Sequence, residues 1–169
     1  MMAQRLDDKG LLLGDLLGGT LDAGEFAKLL VRGVAMDSRE VEPGTLFIAL
    51  GGQQSHGMEF LEQAVSAGAV AVLTEPAGAW NRERLQQAVV DCPVPVFMIS
   101  GLAQKVAGIA ACFFGQPAQA LRVIGVTGTN GKTSITHFLA QALGSRVAAG
   151  VIGTLGNGLP GELQSTRHT

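Results

Sequence analysis

The sequence contains no tyrosine, and its seven phenylalanines and single tryptophan make aromatic residues only 5% of the chain. Charged residues are also few, at 15%, and they leave a formal net charge of −2. Single-stranded nucleic acid is usually bound by stacked aromatic side chains in a basic groove, and duplexes by clusters of Lys and Arg. The composition therefore predicts that nucleic acid is not a partner.

Cysteine is almost absent. The two that occur, Cys92 and Cys112, belong to no C-x-x-C pair and no Cys/His cluster. This spacing predicts neither a zinc site nor a disulfide framework. Cys112 falls in an apolar stretch of helical periodicity, which favours a role as a small core residue.

Long hydrophobic runs are missing as well. The apolar stretch LLLGDLL near the start is interrupted by Asp15 and preceded by acidic residues, so it predicts neither a signal peptide nor a membrane span. We therefore expect a cytoplasmic protein without membrane insertion. Apolar residues nevertheless make up 47% of the chain, which is enough to bury a core.

Apolar runs bounded by Gly and Pro alternate with stretches of helical periodicity. The predicted strands cover 45–50, 70–75, 94–100, 121–127 and 146–156. The predicted helices cover 57–69, 81–90, 101–117 and 133–143. Strands that alternate with helices indicate an α/β fold with a parallel sheet covered on both faces.

We place a domain boundary near residue 118, just after the helix predicted over 101–117. Residues 1–118 are predicted to form a small N-terminal α/β domain. Residues 119–169 are predicted to begin a second domain, a P-loop parallel-sheet ATPase domain. In this part only a strand, a loop, a helix and a second strand are predicted. Such a segment is too short to bury a sheet on both faces.

The segment GVTGTNGKTSIT, residues 125–136, lies between a predicted strand and a predicted helix. A phosphate chain needs converging backbone N–H groups, a helix N-terminus and a cation. Gly128 and Gly131 would supply the unusual backbone angles. Lys132 would reach the phosphates, and the Thr133 hydroxyl would bind Mg²⁺. Val126 stands where the Walker A pattern has glycine, which predicts a variant loop; the plain alternative is a glycine-rich turn with a solvated lysine.

The motif T-G-T-N-G-K-T at 127–133 resembles the ATP loop of the Mur ligases, the ATP-dependent amide-forming enzymes of peptidoglycan synthesis. VAAGVIGTLGNG, residues 147–158, is similar to the strand and loop that follow the ATP helix in that family. The resemblance implies ATP and Mg²⁺ as cofactors, Lys132 as a catalytic residue and Thr133 as a metal ligand. The implied ATP-binding residues are Gly128, Thr129, Asn130, Gly131, Lys132, Thr133 and Ser134.

Another set of motifs precedes the phosphate loop: D-S-R at 37–39, P-G-T-L-F-I-A-L-G-G at 43–52 and H-G-M-E-F at 56–60. A strand that ends in a glycine-rich polar loop is where α/β sheets bind ligands. From the spacing alone, however, a capped turn followed by a solvated surface loop is the favoured interpretation.

Together with G-A-V-A-V-L at 68–73, these motifs are similar to the N-terminal domain of the Mur ligases, which holds the UDP end of a sugar-nucleotide substrate. The resemblance implies that the uridine diphosphate is contacted by Met36, Ser38, Gln53, Gln54 and Ser55. Many family members carry D-G-H or A-D-G near this loop, where the present chain reads S-H-G.

The final residues, STRHT, fall where the family has an N-T-T segment that contacts the UDP-muramoyl dipeptide. His168 would replace the asparagine and Thr169 would match the first threonine; a solvated histidine in a frayed terminus is the alternative. His137 is predicted to be a surface residue of the helix after the loop. His56 is either part of the loop structure or a ligand contact.

The resemblance implies a reaction in which ATP phosphorylates a carboxylate of UDP-N-acetylmuramoyl-L-alanyl-D-glutamate. The amine of a diamino acid, diaminopimelate or lysine, then displaces phosphate. Family members are longer than this chain, and their amino-acid pocket would lie beyond Thr169, so the chain alone is predicted to be inactive. Two alternatives come from other classes: a stand-alone nucleotide-binding module, and another P-loop phosphotransferase such as a small kinase.

Overall fold

The computed structural model describes residues 10–18, 20–53, 55–90 and 92–165. The chain divides into two compact units, Met1–Leu121 and Arg122–Thr169. The strands are β1 (Leu11–Leu12), β2 (Leu30–Val31), β3 (Gly33–Ala35), β4 (Thr45–Ala49), β5 (Ala69–Thr74), β6 (Val96–Met98), β7 (Val151–Gly153) and β8 (Gly156–Gly158). The α-helices are α1 (Leu13–Leu16), α2 (Leu61–Ser66), α3 (Arg82–Val89), α4 (Leu102–Phe113) and α5 (Lys132–Gly144). Short 3₁₀ helices cover Gly24–Lys28, Ser38–Glu40, Gly57–Phe60 and Pro117–Ala120.

A four-stranded sheet in the order β3-β4-β5-β6 forms the centre of the first unit, and every neighbouring pair is parallel. Each connection between successive strands contains helix, as parallel pairing requires a crossover. The predicted α/β class with a parallel sheet is confirmed.

Alternation along β4 places hydrophobic side chains on both faces of the sheet. Leu46 and Ile48 join a cluster that is closed by residues of α1 and α4, whereas Phe47 and Ala49 join a cluster closed by α2 and α3. All five residues of β4 are buried. A strand that is apolar on both faces is typical of a sheet covered on both sides, as the sequence predicts.

The apolar run near the start of the chain folds into β1 and α1. β1 pairs antiparallel with β2, and Leu13, Leu16 and Leu17 are buried in the first cluster. The run therefore contributes to the core. No helix in the described part of the chain has both the length and the apolar composition needed to cross a membrane.

Several predicted helices are shorter in the structure. The helix predicted over 57–69 is a 3₁₀ turn, Gly57–Phe60, followed by α2. The helix predicted over 101–117 is α4, which ends at Phe113. Gly115 and Gln116 then adopt positive φ angles of 71° and 59°, which stop the helix.

In the second unit the helix after the loop is α5, close to its predicted bounds, but neither predicted strand has its predicted extent. Residues 121–127 pair with no strand of the described chain. Of the strand predicted over 146–156, Val151–Gly153 forms β7, and Gly156 already begins β8, the other arm of an antiparallel hairpin. A strand exists only where a neighbour satisfies its backbone groups. Without such a neighbour, Val123 is 78% exposed and Ile124 is 59% exposed.

Glu75 holds the N-terminus of α4 from the end of β5. Its carboxylate accepts hydrogen bonds from the backbone N–H groups of Leu102, at 2.8 Å, and Ala103, at 3.1 Å. The residue before the helix, Gly101, has no side chain with which to cap it. A carboxylate at this place satisfies free amides and complements the helix dipole.

We expect the Glu75→Ala variant to lower the free energy of unfolding by about 1–2 kcal/mol, because two amides lose their acceptor. Urea unfolding followed by the emission of the single tryptophan measures the change. Glu42→Ala is the matched control, since Glu42 is exposed and lies outside the helices. A loss no larger than that of the control would contradict the capping role.

Candidate functional site

The loop that precedes α5 is shaped by two glycines. Gly128 has a φ of 145° and Gly131, the residue before the helix, has a φ of 78°. Residues with a side chain rarely adopt these angles. The backbone bends from Gly128 to Asn130 and turns directly into the helix at Lys132.

The N-terminus of α5 is open. No side chain caps it, and Ile135 N–H donates to the carbonyl oxygen of Gly131, the residue before the helix, at 2.9 Å. The first N–H groups of an α-helix have no partner within the helix, and they carry a partial positive charge. Lys132, Thr133 and Ser134 therefore present amides that suit an anion.

The Lys132 side chain lies back over the loop. Its ammonium group donates to the carbonyl oxygen of Gly128 and, at 3.4 Å, to that of Thr129. The predicted polar residues Thr129, Asn130 and Ser134 are exposed, and Thr133 is half-buried. The loop thus brings one cation and the helix N-terminus together, as the sequence predicts for a phosphate site.

The predicted uridine residues begin directly after β3. Met36 is 54% exposed, so its side chain is accessible. Ser38 is buried, and its hydroxyl donates to Oε1 of Gln63 in α2 at 2.9 Å. Sequence reasoning did not find Gln63, because its partner lies 25 residues away and no local pattern connects them.

Between these residues, Asp37 and Arg39 form an ion pair with bidentate contacts. Arg39 Nε donates to Oδ1 of Asp37 at 2.8 Å, and Nη2 donates to Oδ2. The Asp37 carboxylate raises the pKa of the Arg39 guanidinium above its ordinary value, first through these hydrogen bonds and then through its charge. Asp37 also accepts from Arg39 N–H at the start of the 3₁₀ helix, so the pair fixes the turn after β3.

The glycine-rich loop after β4 is closed on itself. Gly51 and His56 form an antiparallel bridge, and Gly52 N–H donates to the Ser55 carbonyl at 2.8 Å. Gln53 at the tip is exposed and Ser55 is half-buried. Since β3 and β4 are parallel neighbours, their following segments lie at the same edge of the sheet. Gln54, His168 and Thr169 lie outside the described residues.

His56 is only 4% exposed, and both ring nitrogens are occupied. Nδ1 accepts from Met58 N–H at 3.1 Å, so Nε2 carries the proton that it donates to the Glu75 carbonyl at 3.1 Å. His56 and Glu59 also form a capping box at the 3₁₀ turn. The structure therefore supports the interpretation that His56 is part of the loop structure, and not the one in which it contacts a ligand.

Clusters of metal-ligating side chains were sought in the part of the chain that the structure describes. The described residues contain no group of three or more His, Cys, Asp or Glu side chains that could hold an ion. The predicted metal ligand, Thr133, has a hydroxyl that suits a hard cation, since Mg²⁺ takes oxygen ligands and retains several waters.

Comparison with known families matches both units. The profile "Mur ligase family, catalytic domain" matches residues 30–114, and "Mur ligase middle domain" matches residues 126–169. The chain belongs to the Mur ligase family. The second match includes the open N-terminus of α5, so the variant phosphate loop lies within the region that the family profile matches.

Individual relatives support the same family assignment. This Mur ligase chain is 43% identical to a UDP-N-acetylmuramoyl-L-alanyl-D-glutamate--2,6-diaminopimelate ligase of Alkalilimnicola ehrlichii, over 93% of the chain and 32% of that protein. It is 39% identical to the Coxiella burnetii protein of the same name, over 92% of the chain and 31% of that protein. The chain therefore spans about a third of the length of these relatives.

Solved structures give the same result for the fold. A structure of a UDP-N-acetylmuramoyl-L-alanyl-D-glutamate--2,6-diaminopimelate ligase matches 91% of this Mur ligase chain with a TM-score of 0.64 and 28% identity, and the chain covers 30% of it. MurF from Acinetobacter baumannii matches 80% of the chain with a TM-score of 0.57 and 22% identity, and the chain covers 28% of it. The second match supports the fold alone.

Proposed function

We propose that this chain supplies the UDP-binding and ATP-loop parts of an ATP-dependent ligase. The ligase would join a diamino acid to UDP-N-acetylmuramoyl-L-alanyl-D-glutamate in peptidoglycan precursor synthesis. The observation that carries the proposal is the uncapped N-terminus of α5, with the Lys132 ammonium group held beside it. The identity to ligases of that name supports the choice of substrate.

The loop residues fit a triphosphate. The positive φ angles of Gly128 and Gly131 turn the backbone so that it leads directly into α5. The amides of Lys132, Thr133 and Ser134 and the Lys132 ammonium group would neutralise the γ-phosphate as charge develops on it. The Thr133 hydroxyl would give Mg²⁺ one ligand, and the other protein ligands would come from outside the described residues.

The edge of the sheet after β3 and β4 fits the uridine end. Met36 is exposed and Gln53 lies at an accessible loop tip, so both can contact a nucleotide. The Ser38 hydroxyl and the closed backbone of the Gly52–Ser55 loop are held in place by their own hydrogen bonds. Gln54 belongs to the same proposed set.

In the proposed reaction an oxygen of the substrate carboxylate attacks the γ-phosphorus and ADP leaves. The amine of the diamino acid then attacks the acyl carbon, the bond to phosphate breaks, and the amine loses a proton. The part played by this chain is positioning and charge neutralisation, which together account for most of the catalysis in phosphoryl transfer.

Calorimetric titration of the chain with the UDP-muramoyl dipeptide, with UMP, and with ATP and Mg²⁺ tests the proposal. We expect all three to bind, and Gln53→Ala to weaken UMP about 3- to 10-fold, which corresponds to one lost hydrogen bond. Gln86→Ala, an exposed glutamine on α3, is the matched control.

Other binding results would favour other functions. Binding of ATP without any uridine ligand would indicate a P-loop phosphotransferase of another kind. Binding of UMP without ATP would indicate a nucleotide-binding module, and binding of neither would overturn the proposal.

A further inference from the structure

The imidazole ring of His56 joins segments that follow two neighbouring strands. His56 closes the glycine-rich loop after β4, and Glu75 directly follows β5. Nε2 of the ring lies 3.1 Å from the Glu75 carbonyl oxygen, and Nδ1 lies 3.1 Å from the backbone nitrogen of Met58. Since β4 and β5 are parallel, the ring ties the loop to the edge of the sheet at which the proposed uridine residues lie.

The residues on either side of His56 connect this ring to the loop. Gly57 N–H donates to the Leu50 carbonyl at 2.7 Å, and a Cβ atom on Gly57 would lie 2.6 Å from the Cα atom of Ala49. The base of the loop is therefore packed tightly against the end of β4. Ser55, which belongs to the proposed uridine set, directly precedes His56, so a movement of the histidine also moves Ser55.

The two ring contacts require a neutral imidazole. A backbone N–H only donates, so Nδ1 has to accept from Met58, and a carbonyl oxygen only accepts, so Nε2 has to carry the single proton. A second proton would place an N–H on Nδ1 opposite Met58 N–H, which would lose its acceptor. Because Met58 is 2% exposed, water has little access to replace that acceptor.

The charged groups near the ring are engaged with other partners. The Glu59 carboxylate accepts from His56 N–H at 3.4 Å, and the Glu75 carboxylate accepts from two backbone amides of α4. On the side of α3, the Trp80 ring centroid lies 5.7 Å from that of the imidazole, and the Arg84 guanidinium lies over the indole. Within the described residues, a protonated ring would therefore be a buried cation without a carboxylate contact.

We propose that neutral His56 is a positioning residue of the uridine site, and that protonation of its ring opens the glycine-rich loop and weakens binding of the UDP substrate. The inference rests on the proposed function, because it takes this loop as part of the uridine site. Its sign follows from linkage. The closed loop binds one proton fewer than the open loop, so affinity falls as the pH falls, by at most about tenfold per pH unit.

Calorimetric titration with the UDP-muramoyl dipeptide at about pH 8 and at about pH 5.5 tests the proposal. A diphosphate esterified at both ends does not titrate in this range, whereas the phosphate of UMP does. We expect binding to be at least about threefold weaker at the lower pH. His137→Gln changes a half-buried histidine of the second unit and should leave this loss unchanged.

The His56→Asn variant separates the two ring contacts. Asparagine Oδ1 takes the place of Nδ1 and accepts from Met58 N–H at either pH, as capping residues do, but the contact with Glu75 is lost. We expect binding about 3- to 10-fold weaker at the higher pH, from one lost hydrogen bond, and no further loss at the lower pH. Glu59→Gln and Glu75→Gln keep the imidazole and should keep the acid loss. Circular dichroism checks that each variant folds.

The chain without ligand gives a second measurement. The NMR signals of the imidazole nitrogens should show the Nε2–H tautomer of His56 at the higher pH, and they are assigned by their absence in His56→Asn. The emission of Trp80, the single tryptophan, should change with the same midpoint as the affinity, because its ring lies beside the imidazole.

The outcomes separate this role from the function on which it rests. Absence of binding at both pH values would refute the proposed uridine site and the role of His56 with it. Binding that does not change with pH, or an acid loss that persists in His56→Asn, would refute the role of His56 alone.

Discussion

Replacing Lys132 by alanine is expected to weaken the affinity of this chain for ATP by about 10- to 100-fold. A charge-assisted hydrogen bond contributes roughly 1.5–3 kcal/mol, which corresponds to that range. In the structure the ammonium group already lies over the loop, where it contacts the carbonyl oxygens of Gly128 and Thr129. A bound phosphate chain would offer it a full negative charge in place of these neutral oxygens. Displacement of a fluorescent ATP analogue by ATP measures the affinity.

Two controls make this result specific. Lys105→Ala removes an exposed lysine from α4 in the first unit and should leave the affinity for ATP unchanged. The Lys132 variant itself should still bind UMP normally, since the predicted uridine residues belong to the first unit. An unchanged affinity for ATP in Lys132→Ala would show that this ammonium group does not face the phosphates.

Replacing Phe47 by alanine is expected to lower the free energy of unfolding of the first unit by about 3–5 kcal/mol. Phe47 is 1% exposed and lies in β4, between β3 and β5. Its ring fills the cluster between the sheet and the α2–α3 face, so its removal leaves a cavity that the surrounding strands cannot close. Whole domains are stable by only about 5–15 kcal/mol, so this variant should be close to unfolding.

Urea unfolding followed by Trp80 emission gives the measurement, because Trp80 belongs to the same cluster. Phe60→Ala is the matched control: Phe60 is 42% exposed, so it should cost less than about 1.5 kcal/mol. Equal losses for the two phenylalanines would show that β4 is not the centre of the core.

The central strands could be predicted from the sequence because their signal is local. β4 and β5 are continuous apolar runs bounded by glycine and turn residues, and the structure places both within one residue of the prediction at each end. The glycines of the phosphate loop could be assigned for the same reason, since the angles at Gly128 and Gly131 are set by neighbours along the chain.

For the hairpin after α5, the local sequence pattern led to a wrong prediction. Residues 146–156 look like one strand, yet Gly156 has a φ of 125°, and a Cβ atom there would lie 2.5 Å from the Gln164 carbonyl oxygen. The glycines that interrupt the apolar run were the available clue to a turn.

Contacts between distant residues could not be predicted at all. His56 reaches the Glu75 carbonyl across 19 positions, and Glu75 reaches the start of α4 across 27.

Glu75 has one further consequence, for how alanine scanning of this chain should be interpreted. The residue anchors α4 with its side chain but anchors His56 with its main-chain carbonyl, which every amino acid possesses. Truncating the side chain therefore reveals only half of what this position does. The hydrogen bond from His56 to the carbonyl of residue 75 would persist in every point mutant at this position. Natural variants could therefore carry other side chains at position 75 while the glycine-rich loop stays in place.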